Sequence, residues 1–238
     1  MAKNYRAISL LCILSQILER FVFSHCYLHI SPQLYHMQHV FLKGRTTVIQ
    51  LLRDYQEIIN ANFAKANGKE ADVIYLDFTK AFDKVSHLAL TRKLSLFGIT
   101  GQLQRWLTSY LYARNQRVTL QGTYSDWLEI SSGVPQGSIL GPLLFLAHID
   151  EMPGHIKHNS QLTLFDDASK LFKVIHKRSD TDAVQQEMTC LSKWCKDWAI
   201  SFNTSKCKTV NISKKKLHSR RVNILATPHW TQFVTSLT

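Results

Sequence analysis

The 238 residues hold 29 lysines and arginines against 17 aspartates and glutamates, a formal net charge of +12, with 45% hydrophobic content. That hydrophobic share excludes a disordered chain, and the length supports a sizeable core built as one large domain or two lobes. The basic excess favours a polyanionic partner, nucleic acid or an anionic membrane.

The early run ISLLCILSQILERFVF is interrupted by Gln16, Glu19 and Arg20, so it lacks the ~20 apolar residues of a membrane span and predicts a buried amphipathic helix. Lys3 and Arg6 lead into a segment without a small-residue cleavage site, so no signal peptide is predicted. Five cysteines, Cys12, Cys26, Cys190, Cys195 and Cys207, form no CxxC pair and are expected to be reduced, in a chain working in the nucleus or cytoplasm.

From Thr46 to Ala66, Val48, Leu51, Leu52, Tyr55, Ile58, Ile59 and Phe63 recur at helical spacing, and Asn67-Gly68 offers a left-handed stop. ADVIYLDF then predicts a buried strand that delivers the acid Asp77 at its end. Two helices follow, LALTRKLSLFG closed by Gly98, and GQLQRWLTSYL. RVTLQGTYSDWLEI predicts two strands turning at Gly122. The loop SSGVPQGS precedes ILGPLLFLAHI, a buried helix despite Pro142. TLFDDASKLF predicts a hairpin, and a helix from about Asp180 repeats Val184, Met188, Leu191, Cys195 and Trp198. Beyond about residue 212 no sustained period assigns an element; Lys214 to Lys216 with Arg220 and Arg221 read as a nuclear-import or nucleic-acid patch, or as a solvated charge run.

Asp77, Asp166 and Asp167 converge if their strands are neighbours. Oxygen-only ligands of this kind suit magnesium, which takes a few carboxylates plus substrate phosphates. Two such ions about 3.5–4 Å apart serve in-line phosphoryl transfer. Paired aspartates equally suit a surface turn, and a strand-end acid equally suits a helix cap, so spacing alone leaves both open.

Whole segments narrow the choice. NYRAISLL, QHVFLKGRTT, VIYLDFTKAFDKVSH, YARNQRVTLQG, SSGVPQGSILGPLLFLAHIDEMP and LTLFDDASKLF, in this order, closely resemble the reverse transcriptase domain of non-LTR, LINE-like retrotransposons from about Asn4 to about Lys208. YLDFTKAFD and GVPQGSILGP are the most specific of them. The resemblance implies an α+β right-hand polymerase, with fingers over 1–68 and 89–130, palm over 69–88 and 131–212, an unassigned basic tail over 213–238 and no thumb. It implies an RNA template, a DNA primer, deoxynucleoside triphosphates and two Mg2+ or Mn2+ ions.

Carried over by position, Asp77 ligates both metals, with Asp167 and Asp166 as the hairpin acids. Phe82 matches the aromatic that blocks a ribonucleotide 2′-hydroxyl, which is compatible with core packing; Asp83 is expected to cap a helix. Pro135, Gln136 and Gly137 match the loop under the template base and incoming nucleotide. Lys43 and Arg45 match residues facing the triphosphate, while Arg6 and Arg117 match nucleic-acid-facing positions. Each of these charges also reads as a solvated one.

The family writes its hairpin Phe-Ala-Asp-Asp, whereas this chain reads Phe165, Asp166, Asp167, Ala168. Ungapped, Asp167 takes the first catalytic position and Ala168 the second, so one carboxylate is lost and activity is expected to be severely reduced. A gapped alternative keeps Asp166 and Asp167 as the pair, but slips the strand faces unless the turn absorbs it. Ala7, Val40, Leu42, His148 and Asp150 also depart from the family pattern. The competing functions are a polymerase domain and a catalytically silent nucleic-acid binder. An RNA-dependent RNA polymerase is disfavoured, because that class has Gly before its paired acids and Asp near the position of Phe82.

Overall fold

The helical and strand periodicities order themselves as α1 (Ile13–Ile30), α2 (Thr47–Phe63), β1 (Glu70–Asp77), α3 (His87–Leu96), α4 (Gly101–Tyr112), β2 (Asn115–Gln116), β3 (Thr119–Leu120), β4 (Thr123–Tyr124), β5 (Leu128–Glu129), α5 (Leu140–Ile149), β6 (Gln161–Phe165), β7 (Ala168–Ile175), α6 (Arg178–Asp197), β8 (Lys208–Ser213) and β9 (Gln232–Ser236). The computed structural model describes residues 8–63, 70–112, 114–213 and 232–236. Arg6, Ala7, the Asn67-Gly68 stop and the basic run 214–221 lie outside the described residues. The chain forms two compact units, Met1–Leu34 with Lys80–Asp150, and Tyr35–Thr79 with Glu151–Thr238.

In the first unit α5 is apolar all round, and every residue but Pro142 is buried. Pro142 falls in the first helical turn, where an N–H has no intrahelical acceptor to lose, so the helix tolerates it. The start of α5 is held by a buried acid, Glu19 on α1. Its carboxylate accepts from the Ile139 N–H at 2.8 Å, the Leu140 N–H at 3.3 Å and the Tyr110 hydroxyl at 3.0 Å. Negative charge at a helix N-terminus complements the unsatisfied amides there. Glu19→Gln turns one acceptor into a donor against those amides and should lower stability by about 2 kcal/mol, measured by chemical denaturation. An unchanged denaturation midpoint would show that the cap is dispensable.

Two expectations fail in this unit. Helix α1 forms but is not buried: only Glu19, Val22, Cys26 and Ile30 are covered, while Ile13, Leu14, Ile17, Phe21 and Leu28 are 62–78% exposed. Apolar residues encircle this helix, and its neighbours cover one stripe of it. Asp83 does not provide the cap of α3; the Ser86 hydroxyl does, accepting from the Ala89 N–H. Lys93 is buried and donates to the His148 carbonyl at 2.5 Å. Burial, then Lys93, pulls the His148 imidazole down to about 3, so it is neutral in the folded chain.

The second unit is built on a five-stranded sheet in the order β6-β7-β1-β8-β9. All pairs are antiparallel except β8 with β9. The tail assigned no element therefore contributes a strand. Five residues such as QFVTS carry β propensity but are too few to display a period. Ala71, Val73, Phe172 and Ile212 share one sheet face, where Ile58 of α2, Val174 and Val210 complete the cluster. On α6, Val184, Met188, Leu191 and Cys195 are buried as the spacing predicts, but Trp194 is buried with them while Trp198 is the half-buried C-cap. The Asp180 carboxylate accepts from the His176 and Lys177 N–H groups, which starts that helix two residues earlier than expected. All five cysteines are free thiols. Among the described residues no helix is long and apolar enough to cross a membrane.

Candidate active site

The alternation of β1 puts Ala71, Val73, Tyr75 and Asp77 on one face, so the apolar positions anchor the strand and Asp77 ends it at the sheet margin. Three backbone bonds fix that end. The Asn203 N–H donates to the Asp77 carbonyl at 2.7 Å, the Phe78 N–H to the Asp167 carbonyl at 2.9 Å, and the Thr79 N–H to the Ser201 carbonyl at 2.8 Å. Phe78 itself is buried and stacks on Phe202 with centroids 5.0 Å apart.

The hairpin expected at TLFDDASKLF is present, with Asp166 and Asp167 as its two turn residues between the paired Phe165 and Ala168. Asp166 has φ 51 and Asp167 is not in the positive-φ region. Asp is among the few side chains that tolerate the left-handed region, so the turn has a local reason to hold Asp166 there. The register then decides which side chain meets Asp77. Ala168 is its partner across β7, and Leu76 faces Ser169. Because the neighbouring Phe78 N–H bonds to Asp167, the Asp77–Ala168 pair is a non-hydrogen-bonded one, in which Cβ atoms lie roughly 4.5–5.5 Å apart on the same face. A methyl group stands directly across from Asp77, and both hairpin carboxylates belong to the turn.

A cation reaches Asp77 from the other side. Lys206 Nζ is 3.4 Å from Asp77 Oδ2, with the lysine largely exposed. An Asx turn aims it: Asn203 Oδ1 accepts from the Ser205 N–H, and the Asn203 carbonyl accepts from the Lys206 and Cys207 N–H groups. Next in line, Cys207 is buried, which pushes its thiol up, and its sulfur accepts from the Asp77 N–H at 3.4 Å. Sequence reading missed Lys206. The signal was NTSK, a turn-forming Asn-x-Ser directly before a lysine.

Among the described residues no three His, Cys, Asp or Glu side chains gather to hold a metal ion. The donors at this sheet end, Asp77 and the turn carboxylates, are all oxygens. They fit a magnesium ion completed by substrate phosphates and waters, and do not fit a resident ion in an all-protein cage.

The remaining expected residues divide between the units. In the unit of Asp77, Lys43 is exposed, and Arg45 Nη1 donates to the His36 carbonyl at 2.7 Å and the Gln38 carbonyl at 2.5 Å, bracing its own loop. In the other unit Phe82 is half-buried and stacks on Phe145 with centroids 4.7 Å apart. Pro135 is buried, Gln136 accepts from the Ser9 N–H through its carbonyl, and Gly137 has φ 96. Ser138 explains the motif that follows: its hydroxyl donates to the Pro135 carbonyl and accepts from the Gly141 N–H. A Cβ at Gly141 would lie 2.5 Å from the Pro135 carbonyl, and one at Gly133 (φ 91) 2.7 Å from the Asp83 carbonyl, so GVPQGSILG is spelled by close backbone approach. Arg117 is exposed between β2 and β3 of the same unit.

A family model described as reverse transcriptase (RNA-dependent DNA polymerase) matches residues 2–228, further than the stretch carrying the sequence resemblance. A probable RNA-directed DNA polymerase from transposon X-element of Drosophila melanogaster is 30% identical over 225 residues, covering 90% of this chain and 24% of that protein. The RNA-directed DNA polymerase from mobile element jockey of the same organism is 29% identical over 222 residues, covering 89% of this chain and 24% of the relative. The chain thus spans about a quarter of the length of these curated relatives. Among solved structures, apo telomerase from Candida tropicalis truncated from its C-terminal domain has a TM-score of 0.59 at 12% identity, covering 86% of this chain and 42% of that one. Telomerase from Candida albicans in complex with a TWJ fragment of telomeric RNA has a TM-score of 0.55 at 13% identity, over 82% of this chain and 35% of that one. These two share the fold.

Proposed function

Because this chain belongs to the reverse transcriptase family, with non-LTR retrotransposon polymerases as its curated relatives, we propose that it is an RNA-directed DNA polymerase domain whose nucleotidyl transfer is crippled at the hairpin. The observation that carries this reading is the register that sets Ala168, rather than a carboxylate, across from Asp77. It favours the ungapped alignment, in which Asp167 is the first hairpin acid and the second is missing.

In this reading the fingers are 1–68 and 89–130, and the palm is 69–88 and 131–212. Asp77 and Asp167, with Asp166 beside it, would hold Mg2+ or Mn2+, which when bound supplies a Lewis acid that activates the primer 3′-hydroxyl and stabilises the leaving oxygen. Lys206, already paired with Asp77, must yield part of that carboxylate. The stack of Phe82 on Phe145 supports its role as a ribose filter, since a ring braced from behind cannot retreat from a 2′-hydroxyl. Pro135, Gln136 and Gly137 would form the base-pair floor; Gly137 at φ 96 keeps this turn tight, with Ile8 and Ser9 packed against it. Lys43, Arg45, Arg6 and Arg117 supply positive charge toward triphosphate, template and primer.

A second reading, a silent nucleic-acid binder, draws on the same methyl group, which offers no metal ligand, and on Lys206, which gives Asp77 a cation from the chain itself. Primer extension on an RNA template with deoxynucleotides and manganese separates them. The polymerase reading expects slow extension that Asp77→Asn removes. Salt-dependent template binding with no extension, before or after that substitution, supports the silent binder.

A further inference from the structure

The short strands of the first unit carry large side chains that no core covers. β2 pairs with β5 and β3 with β4, and Gln121 and Gly122, both at positive φ, close the inner turn. Backbone and hydroxyl bonds hold this small module together. The Val118 N–H donates to Ser125 Oγ at 2.9 Å, the Ser125 N–H to the Val118 carbonyl at 3.0 Å, and the Ile130 N–H to the Arg114 carbonyl at 3.0 Å. Its framework is therefore fixed while its rings face outward: Tyr124 is 57% exposed and Trp127 61%. Between them lies the Arg117 guanidinium, 4.1 Å from the Tyr124 centroid and 4.6 Å from the Trp127 centroid.

A cation against one face of each ring holds both rings in place and leaves their opposite faces to solvent. Ring faces beside an arginine form the stacking platform that single-stranded nucleic acid uses, since every base has a π-face and its phosphates seek the cation. From this arrangement, and resting on the polymerase reading for the class of partner, we infer that Arg117, Tyr124 and Trp127 form a docking platform for single-stranded nucleic acid. The occupant stacks bases on the outer faces of Trp127 and Tyr124 and brings a phosphate to Arg117. The net charge of +12 favours this polyanion over a protein partner, and the local balance does not oppose it: Arg114 and Arg117 offset Asp126 and Glu129.

The test is fluorescence anisotropy of the full chain with a labelled single-stranded oligouridylate, repeated with an abasic strand of the same length. Trp127→Ala should weaken oligouridylate binding roughly tenfold, and Trp127→Phe should recover most of the loss. Binding to the abasic strand should be the same for the parent and Trp127→Ala. Arg117→Gln should shallow the salt dependence by about one counterion, whereas Trp127→Ala should leave the slope unchanged. Both side chains are exposed, so the melting temperature should stay put in each variant. If the parent binds and Trp127→Ala binds equally well, the platform is wrong while the polymerase reading stands. If the parent binds no single strand at all, both fall. Equal loss on oligouridylate and abasic strands would overturn base stacking and leave charge alone.

Discussion

Ala168→Asp should raise primer extension on an RNA template by roughly a hundredfold, because several kcal/mol of charge stabilisation return to the transition state and each 1.4 kcal/mol is a decade of rate. The register makes this position, and neither turn residue, the cross-strand neighbour of Asp77. A carboxylate at 168 lies on the Asp77 face at non-hydrogen-bonded spacing, close enough to share an ion. The single substitution is preferable to the pair that also converts Asp166 to Ala, because Asp166 sits at φ 51, where alanine costs about 1–2 kcal/mol. A second readout separates restored metal binding from any other gain. Two like charges directly opposite each other repel, so the variant should melt lower than the parent without divalent ion and recover when manganese is added. The parent should show a smaller manganese shift. If extension and the manganese shift both remain at the parent's level, the hairpin is not the limiting defect, and the gapped alignment with Asp166 and Asp167 as the acid pair regains its standing.

That hairpin was legible because the local signals agree. Period-two alternation flanks two turn-forming aspartates, and the same number of residues separates Phe165 from Leu171 as in the family pattern. Helix α2 and strand β1 were legible as elements for the same reason, but the apolar spacing of α2 did not foretell burial: its Val48, Leu51, Leu52 and Tyr55 are 61–64% exposed, while β1 is buried on both faces. What could not be read depends on partners distant in the chain. Apolar residues run around α1, so the sequence cannot say that only the stripe through Glu19, Val22, Cys26 and Ile30 would be covered. The contact of Lys206 with Asp77 requires the Asn203 turn to meet the end of β1, a tertiary event with no local trace beyond the turn itself. Glu19 looked like a break in an apolar run, and is instead the acceptor at the start of a helix far along the chain. A charged residue in an apolar stretch thus marks either solvent or a buried donor, and only packing tells which.

Lys170 is a buried charge in the second unit. It lies on β7, one alternation beyond Ala168 on the Asp77 face, and pairs with Asp54 and, at 3.8 Å, with Glu57, both on α2. Its side chain is 5% exposed and theirs 17% and 16%. Removing the lysine strands two nearby acids in a desolvated site, and losses of about 3–5 kcal/mol follow from breaking such pairs. Lys170→Met should therefore shift the urea midpoint strongly, while Lys170→Met combined with Asp54→Leu and Glu57→Leu should recover much of the loss, since apolar packing replaces buried ion pairs at little cost. The pH dependence has a definite sign. Burial raises the Glu57 carboxyl, Lys170 pulls it down and Asp54 pushes it up. Without Lys170 its folded-state value climbs further above its unfolded one, so the variant is least impaired below the unfolded value and loses stability as pH rises through the folded value. The deficit relative to the parent should be smaller at about pH 5 than at about pH 8. An equal deficit at both would mean that lost packing of the lysine stem, rather than stranded carboxylate charge, accounts for the effect. The hairpin would then be tied to α2 by shape alone.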